Sequence, residues 1–403
     1  MAAQRTGGRA DADPLALPSV PPEAAADHRW RDGAVALLFG LALAAPLMGA
    51  VLHRHRTLTQ FENRAAATWP ALPVDAASRR AWPAAFEAAF ADRFGGRDRL
   101  IATHHALLAR AFGVSPVDKV LIGRDGWLYF LGEDGKAVDR DWRGVVAYPA
   151  DEPLRIAAEF KRRRDFLAGH GIAYVVAIVP DKATIYPGHL PAWARQPSRP
   201  TRLDRVYAAL AAHPDVAAVD LRPPLLEAKA RQRLYFMTDS HWNYAGAVVG
   251  YDALMRAIRT QRPEVPWVAA EQPPFVAGTD VYSGDLARMI GLPGAFVEDD
   301  VAPLGKVFGN APRRCAQRID VPPPGAPDTG RETYQCARPG LRAIVYRDSM
   351  GIALMPPLVE NFARTLVLQT RRLDPALVLA ERPDIVIEEL VERAAASPLA
   401  SPM

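Results

Sequence analysis

Residues 172–180, IAYVVAIVP, form a continuous apolar, β-branched run closed by a proline. A strand buried on both faces reads this way, because no alternate position has to meet water. Strands of that kind belong to mostly parallel sheets covered by helices, and the flanking sequence keeps the alternation going. Residues 152–169 and 201–213 read as helices, 216–221 as a short strand, and 244–260 as an apolar helix. Further on, 341–362 reads as strand, sharp turn and helix; 365–370 as a strand; 375–382 as a helix; and 384–390 as a last strand. The pattern predicts an α/β fold with a mostly parallel sheet flanked by helices.

Upstream, VLIGRDGWLYF (120–130) places two apolar runs around Asp125-Gly126, a tight-hairpin signal. Residues 82–112 space Phe86, Phe90, Phe94, Ile101, Leu107 and Leu108 as helices do, with Gly95-Gly96 as a break between two of them. His104 and His105 fall on different helix faces, which disfavours a metal pair. Residues 33–52, GAVALLFGLALAAPLMGAVL, carry no charge and are long enough to cross a bilayer as an uncleaved anchor. The preceding residues 1–32 are expected as a disordered cytosolic tail. Residues 53–115 are expected as a linker with a helical segment, and 116–403 as the catalytic domain. Arginines flank both ends of the apolar run, so they do not orient it.

At 49% hydrophobic and 23% charged residues, the composition is that of a globular protein, and a net charge of +4 without a block of like charges gives no argument for nucleic acid. The two cysteines, Cys315 and Cys336, either close a loop in an oxidising compartment or stay free. The nine histidines include no His-x-x-x-His, and no Cys-x-x-C motif or Gly-rich phosphate loop stands out, so neither a metal nor a cofactor is expected.

Two stretches carry chemistry. In AIVYRDSMG, Ser349 follows a strand and opens a helix, at the carboxyl end of the sheet where α/β sites gather. Alone, Asp348 or Ser349 reads as a helix cap. In YFMTDSHWN, Asp239 stands two residues before His241. A serine hydroxyl needs a histidine base, and the histidine needs a carboxylate to fix its tautomer. Alone, Asp-x-His is weak, expected by chance roughly half the time with so many histidines. The two motifs together, each at a turn before a helix, raise the signal.

TDSHWN followed by a helix, with a later YRDSMG, resembles the alginate O-acetyltransferases of the AlgJ/AlgX type, which have an SGNH-hydrolase-like fold. FENRAAATWP, FADRFGGRDRLI, VLIGRDGWLYF, VPDKATIYP, YSGDLARMIGL and RPDIVIEELVER are similar to family segments in the same order, across about residues 60–395. Asp and His precede Ser, the circularly permuted order of this family. The resemblance implies that Ser349 is the nucleophile, His241 its base and Asp239 the orienting carboxylate. Acetyl would pass through Ser349 to a hydroxyl of a secreted polysaccharide. Trp242, Lys182, Tyr186 and Arg347 become candidate substrate contacts, Trp242 equally a core aromatic. SGDL (283–286) is either a loop at the site or a structural turn.

The resemblance is to the single-domain AlgJ type, since the chain ends soon after the last strand. It implies an inner-membrane protein with a single-pass anchor and a periplasmic catalytic domain. Its expected partners are a multi-pass membrane O-acyltransferase that supplies acetyl and other exopolysaccharide synthesis proteins. Two rivals stand beside this reading. One is a carbohydrate acetyl esterase with the same triad, and the other a non-catalytic polysaccharide-binding subunit.

Overall fold

The computed structural model describes residues 29–52, 65–132, 149–195, 200–270, 281–298, 315–321 and 329–395. The expected tail over 1–28 and much of the Pro-rich stretch before residue 340 lie outside them. The chain divides into two compact units, Met1–Leu100 and Ile101–Met403.

In the first unit, helix α1 spans Arg29–Leu52. It begins inside the stretch expected as tail, because Arg-Trp-Arg-Asp contains no helix breaker and Asp32 complements the helix dipole in the first turn. Val35, Leu37, Leu38, Phe39, Leu41 and Leu43 are exposed along it. Among the described residues no helix is long and apolar enough to cross a membrane. The expected transmembrane helix is therefore found as a helix and not as a span. Helix α2 (Ala76–Arg93) is opened by a capping box between Asp75 and Ser78. Gly96, at φ +79°, separates it from α3 (Arg97–Phe112), as the paired glycines predict.

In the second unit, β1 (Val120–Ile122) and β2 (Leu128–Phe130) form the expected antiparallel hairpin, with Asp125 and Gly126 both at positive φ in its turn. The main sheet has seven strands in the order β4-β3-β9-β7-β8-β6-β5. These are β3 Ala173–Val179, β4 Ala217–Asp220, β5 Gln317–Arg318, β6 Arg331–Gln335, β7 Arg342–Tyr346, β8 Arg364–Leu368 and β9 Ile385–Val391. The strands from β4 through β8 pair in parallel. β6 and β5 add an antiparallel edge that the sequence reading did not anticipate.

Both faces of the sheet are covered. Val175, Ala177 and Val179 of β3 pack into one core with Leu225 of α7 (Arg222–Ala228) and with Tyr251, Leu254 and Ile258 of α8 (Tyr244–Gln261). Tyr174, Val176 and Ile178 pack on the other side, with α4 (Glu152–Ala168), α6 (Arg202–Leu210) and α11 (Pro375–Glu381). Between α4 and α6 lies the single-turn helix α5 (Lys182–Ile185); α9 (Asp285–Met289) follows α8, and α10 (Met355–Leu358) follows β7. The helix expected directly after β7 is a 3-10 turn over Met350–Leu354 that leads into α10. Pro356 and Pro357 remove the N–H groups an α-helix through this stretch would use.

Cys315 and Cys336 are disulfide-bonded across the end of the β5–β6 pair where Gln317 faces Gln335. The bond closes a loop across a sequence separation of 21, worth about 3 kcal/mol in the chain-entropy account. Replacing both cysteines by serine is expected to lower stability by about that amount. Thermal unfolding of the wild type with and without reductant checks it, and equal midpoints would contradict it.

Candidate active site

Three neighbouring parallel strands end together. β3 leads into Asp181 and Lys182, β9 into Glu392 and Arg393, and β7 into Asp348 and Ser349. The turn after β7 is held from below. Asp348 accepts the N–H of Val391 at 2.8 Å and of Met350 at 2.8 Å, and its own N–H donates to Glu389 Oε2 at 3.1 Å. Glu389 is buried, which pushes its carboxyl well above its usual range. A Cβ at Gly351 would stand 2.4 Å from Glu389 Oε2, so this tight turn admits only glycine there.

The segment carrying Asp239 and His241 is a narrow loop closed by a bridge between Tyr235 and Trp242. Asn243 caps α8 behind it, accepting the N–H of Gly246 at 3.0 Å. Lys182 Nζ donates to the carbonyls of Phe236, Met237 and Asp239 at 3.1, 2.9 and 2.7 Å. Burial draws its ammonium down to about 8, against the charges of Asp239, Glu298 and Asp285. From the other side Glu298 accepts the N–H groups of Met237 and Thr238 and the Thr238 hydroxyl.

These supports align one chain of hydrogen bonds. His241 Nε2 lies 2.9 Å from Ser349 Oγ, and His241 Nδ1 lies 2.6 Å from Asp239 Oδ1. The other carboxylate oxygen of Asp239 accepts the Tyr282 hydroxyl at 2.5 Å and the Asp285 N–H at 2.9 Å. Burial works to raise the Asp239 carboxyl, but the His241 contact and these two donors hold it below the ordinary carboxylate range. Burial likewise works to lower His241, and the hydrogen bond and charge of Asp239, with the charge of Asp285, leave it raised above 6.5. Asp285 accepts the Ser240 N–H at 2.7 Å and its hydroxyl at 2.5 Å. Burial and the nearby Asp239 charge raise the Asp285 carboxyl.

Asp239, His241 and Asp285 also form an acid–histidine cluster of the size that holds a metal ion. Each of the three already has hydrogen-bond partners within the site. The line from Asp239 through His241 to Ser349 is a geometry that can carry acyl transfer.

The other expected contacts sort differently. Trp242 is fully buried and donates from Nε1 to the Met350 carbonyl at 2.9 Å, so it joins the two halves of the site. Lys182 is spent on the loop carbonyls described above. Tyr186 accepts the Leu234 N–H at 2.9 Å, and its carbonyl accepts the Tyr129 hydroxyl at 2.7 Å, which makes it a brace. Arg347 lines a cavity beside the serine turn. SGDL does supply a loop at the site, through Gly284 and Asp285. Tyr282, Asp285 as a ligand of Ser240, Glu298 and Glu389 were not singled out as site residues. YSGD, so close in sequence to a loop candidate, was the available signal for the first two.

The close approach at Gly284 gives a prediction. A Cβ there would meet Asp239 N and the Thr238 carbonyl carbon and oxygen at 2.4 Å. Gly284→Ala is expected to cost about 1–3 kcal/mol and to displace Asp239 from His241. Thermal unfolding and the rate of Ser349 acylation would both fall, and an unchanged rate would show that the loop does not set the carboxylate.

Residues 120–303 match the family model described as SGNH hydrolase-like domain, acetyltransferase AlgX. That segment contains Asp239, His241 and Asp285 and stops before Ser349. The probable alginate O-acetylase AlgJ of Pseudomonas putida is 29% identical over 218 residues, 52% of this chain and 50% of that protein. Its counterpart from Pseudomonas syringae pv. tomato is 31% identical over 176 residues, 43% of this chain and 41% of that protein. The chain thus spans about half the length of the curated relatives it matches. Among solved structures, the O-acetyltransferase domain of Pseudomonas putida AlgJ aligns with a TM-score of 0.42 and 24% identity, over 69% of this chain and 92% of that one. Bacillus cereus PatB1 aligns with a TM-score of 0.46 and 15% identity, over 70% and 99%. Residues 120–303 of this chain are thus similar to the SGNH hydrolase-like domain of AlgX, and about half of the chain is similar to alginate O-acetylases of the AlgJ type.

Proposed function

We propose that this protein is an O-acetyltransferase that moves acetyl groups onto hydroxyls of a secreted polysaccharide through an acetyl-Ser349 intermediate. The observation that carries the reading is the unbroken line from Asp239 through His241 to Ser349, at 2.6 and 2.9 Å. In the first half-reaction His241 Nε2 takes the Ser349 proton as Oγ attacks the acetyl carbonyl, and returns it to the leaving group. In the second, His241 takes the proton of a sugar hydroxyl, which attacks acetyl-Ser349 and regenerates the free serine. The developing oxyanion would be met by the Ser349 N–H, which donates to no described acceptor, whereas the Met350 N–H is held by Asp348. The relatives named alginate O-acetylases support a polysaccharide acceptor. In this reading the chain order, with Asp239 and His241 before Ser349, is the permuted order of the SGNH fold.

The disulfide supports an extracytoplasmic domain, here the periplasm, and the exposed apolar side chains of α1 support attachment to the inner membrane there. A membrane acyltransferase would deliver the acetyl group, beside other exopolysaccharide synthesis proteins. Fractionation checks the attachment: the full chain should sediment with membranes, and a form beginning at residue 57 should not. The transfer itself is tested by incubating the protein with a small acetyl ester and oligosaccharides, and analysing the sugars by NMR. Acetylated sugar that requires Ser349 supports the transferase. Release of free acetate at a rate no acceptor alters would identify an esterase.

A further inference from the structure

We propose that the cavity between the serine turn and the antiparallel edge of the sheet binds one neutral sugar unit of the acceptor, with Arg347 and Glu332 reading its hydroxyls. The proposal rests on the acyl-transfer reading above and assigns that reaction its acceptor subsite. The cavity holds about 140 Å3. Its polar wall is Glu332, Tyr334 and Arg347, and its apolar wall includes Ile352, Met355 and Val359.

The polar wall is built but incomplete. Arg347 is only 5% exposed. Its Nη2 lies 3.5 Å from Glu332 Oε1, and its Nη1 donates to the Asp348 carbonyl at 3.2 Å. Its Nε is buried and has no hydrogen-bond partner among the described residues. Glu332 in turn accepts the Tyr334 hydroxyl at 2.6 Å. At 3.5 Å the Nη2 contact with Glu332 is longer than a hydrogen bond, so a ligand oxygen in the cavity can accept from Nη2. Two neighbouring sugar hydroxyls fit the pair: one oxygen accepts from Arg347, and the next hydroxyl donates to Glu332. The C–H face of the ring then lies against the apolar wall.

Charge selects the class of sugar. Glu332 faces both Arg347 and Arg318, at 3.5 and 3.7 Å, and Asp320 faces Arg318 at 3.3 Å, so two carboxylates match the two guanidiniums and a uronate would set its own carboxylate against Glu332. Position selects the role. Arg347 touches Asp348, next to the nucleophile, and the Ile352 N–H donates to the Ser349 carbonyl at 3.4 Å. The cavity wall and the nucleophile therefore share one turn, and a sugar bound there brings adjoining hydroxyls toward Ser349.

The test titrates full-length Ser349→Ala protein with neutral gluco-, galacto- and manno-oligosaccharides and with oligouronates. A neutral sugar should bind best. Glu332→Gln should weaken it about tenfold and strengthen the oligouronate. Ile352→Trp, at a 40% exposed wall position where a fold defect is not expected, should block binding by filling the cavity. Tighter binding of the oligouronate to the Ser349→Ala protein, neutral binding unaffected by Glu332→Gln and Ile352→Trp, or no neutral binding at millimolar concentration would each overturn the proposal. With Ser349 intact, Glu332→Gln should raise the acceptor KM more than it lowers kcat, while the burst of acylation by a small ester reports the nucleophile separately. A wild type that never acylates would overturn acyl transfer, and the titration would still decide the cavity.

Discussion

His241→Ala is expected to slow acylation of Ser349 by on the order of 10^6-fold, and Ser349→Ala to abolish the covalent intermediate altogether. His241 Nε2 is the described base within reach of Ser349 Oγ, at 2.9 Å. Without it the hydroxyl keeps its proton near neutral pH and is a weak nucleophile. The neighbouring carboxylate of Asp285 does not substitute, because it is already bound to the Ser240 N–H and hydroxyl. Stopped-flow measurement with an activated acetyl ester checks the loss. A drop of tenfold or less in His241→Ala would mean that the 2.9 Å contact is not catalytic. Far-ultraviolet circular dichroism should match the wild type, since His241 is only half-buried.

Asp239→Asn is expected to lower the rate by about 10^4-fold, because the amide turns its N–H toward Nδ1 and fixes the wrong tautomer. It should also move the pH profile. Acylation needs neutral His241, so the rate is present above the His241 pKa and lost as pH falls through it. In the wild type Asp239 holds that pKa above 6.5, which places the acidic limb above 6.5. With the carboxylate gone, burial dominates and the limb shifts to lower pH, even as the plateau drops. A limb that stays in place in Asp239→Asn would show that another group titrates there. Tyr282→Phe makes a graded companion: it removes one donor to Asp239 Oδ2 and leaves the Asp285 N–H in place. It should weaken the rate much less than Asp239→Asn does.

The parts of this molecule that were legible in its sequence are those whose signal is local. IAYVVAIVP declares a strand buried on both faces, and β3 runs Ala173–Val179 with each face in a separate core. The hairpin turn shows in Asp125-Gly126, both at positive φ. Asp239 and His241 are two residues apart, so one turn of chain sets their contact, and Ser349 announces itself by following a strand. The supports of the site show no such pattern. Lys182 meets loop carbonyls 54 to 57 residues away, and Glu298 binds Thr238 across 60. Single polar residues in turns carry no periodicity, and their partners exist only once the sheet has brought strand ends together. For the same reason Lys182, just past a buried strand, and Trp242, beside His241 and equally readable as a core aromatic, stand out by sequence position alone; both are buried and hydrogen-bonded to the framework. The antiparallel β5–β6 edge was hidden because two- and five-residue strands in a Pro-rich region fall below the length at which alternation is readable.

The central claim is that Ser349 carries the acetyl group, and the most direct test is intact-mass analysis of the full chain after brief exposure to a small acetyl ester, followed by peptide mapping. The account predicts a single adduct of about 42 Da, the mass an acetyl group adds, on the peptide containing Ser349. The adduct should be absent in Ser349→Ala and should vanish when an acceptor oligosaccharide is added. An adduct on another residue, or turnover that survives Ser349→Ala, would contradict it.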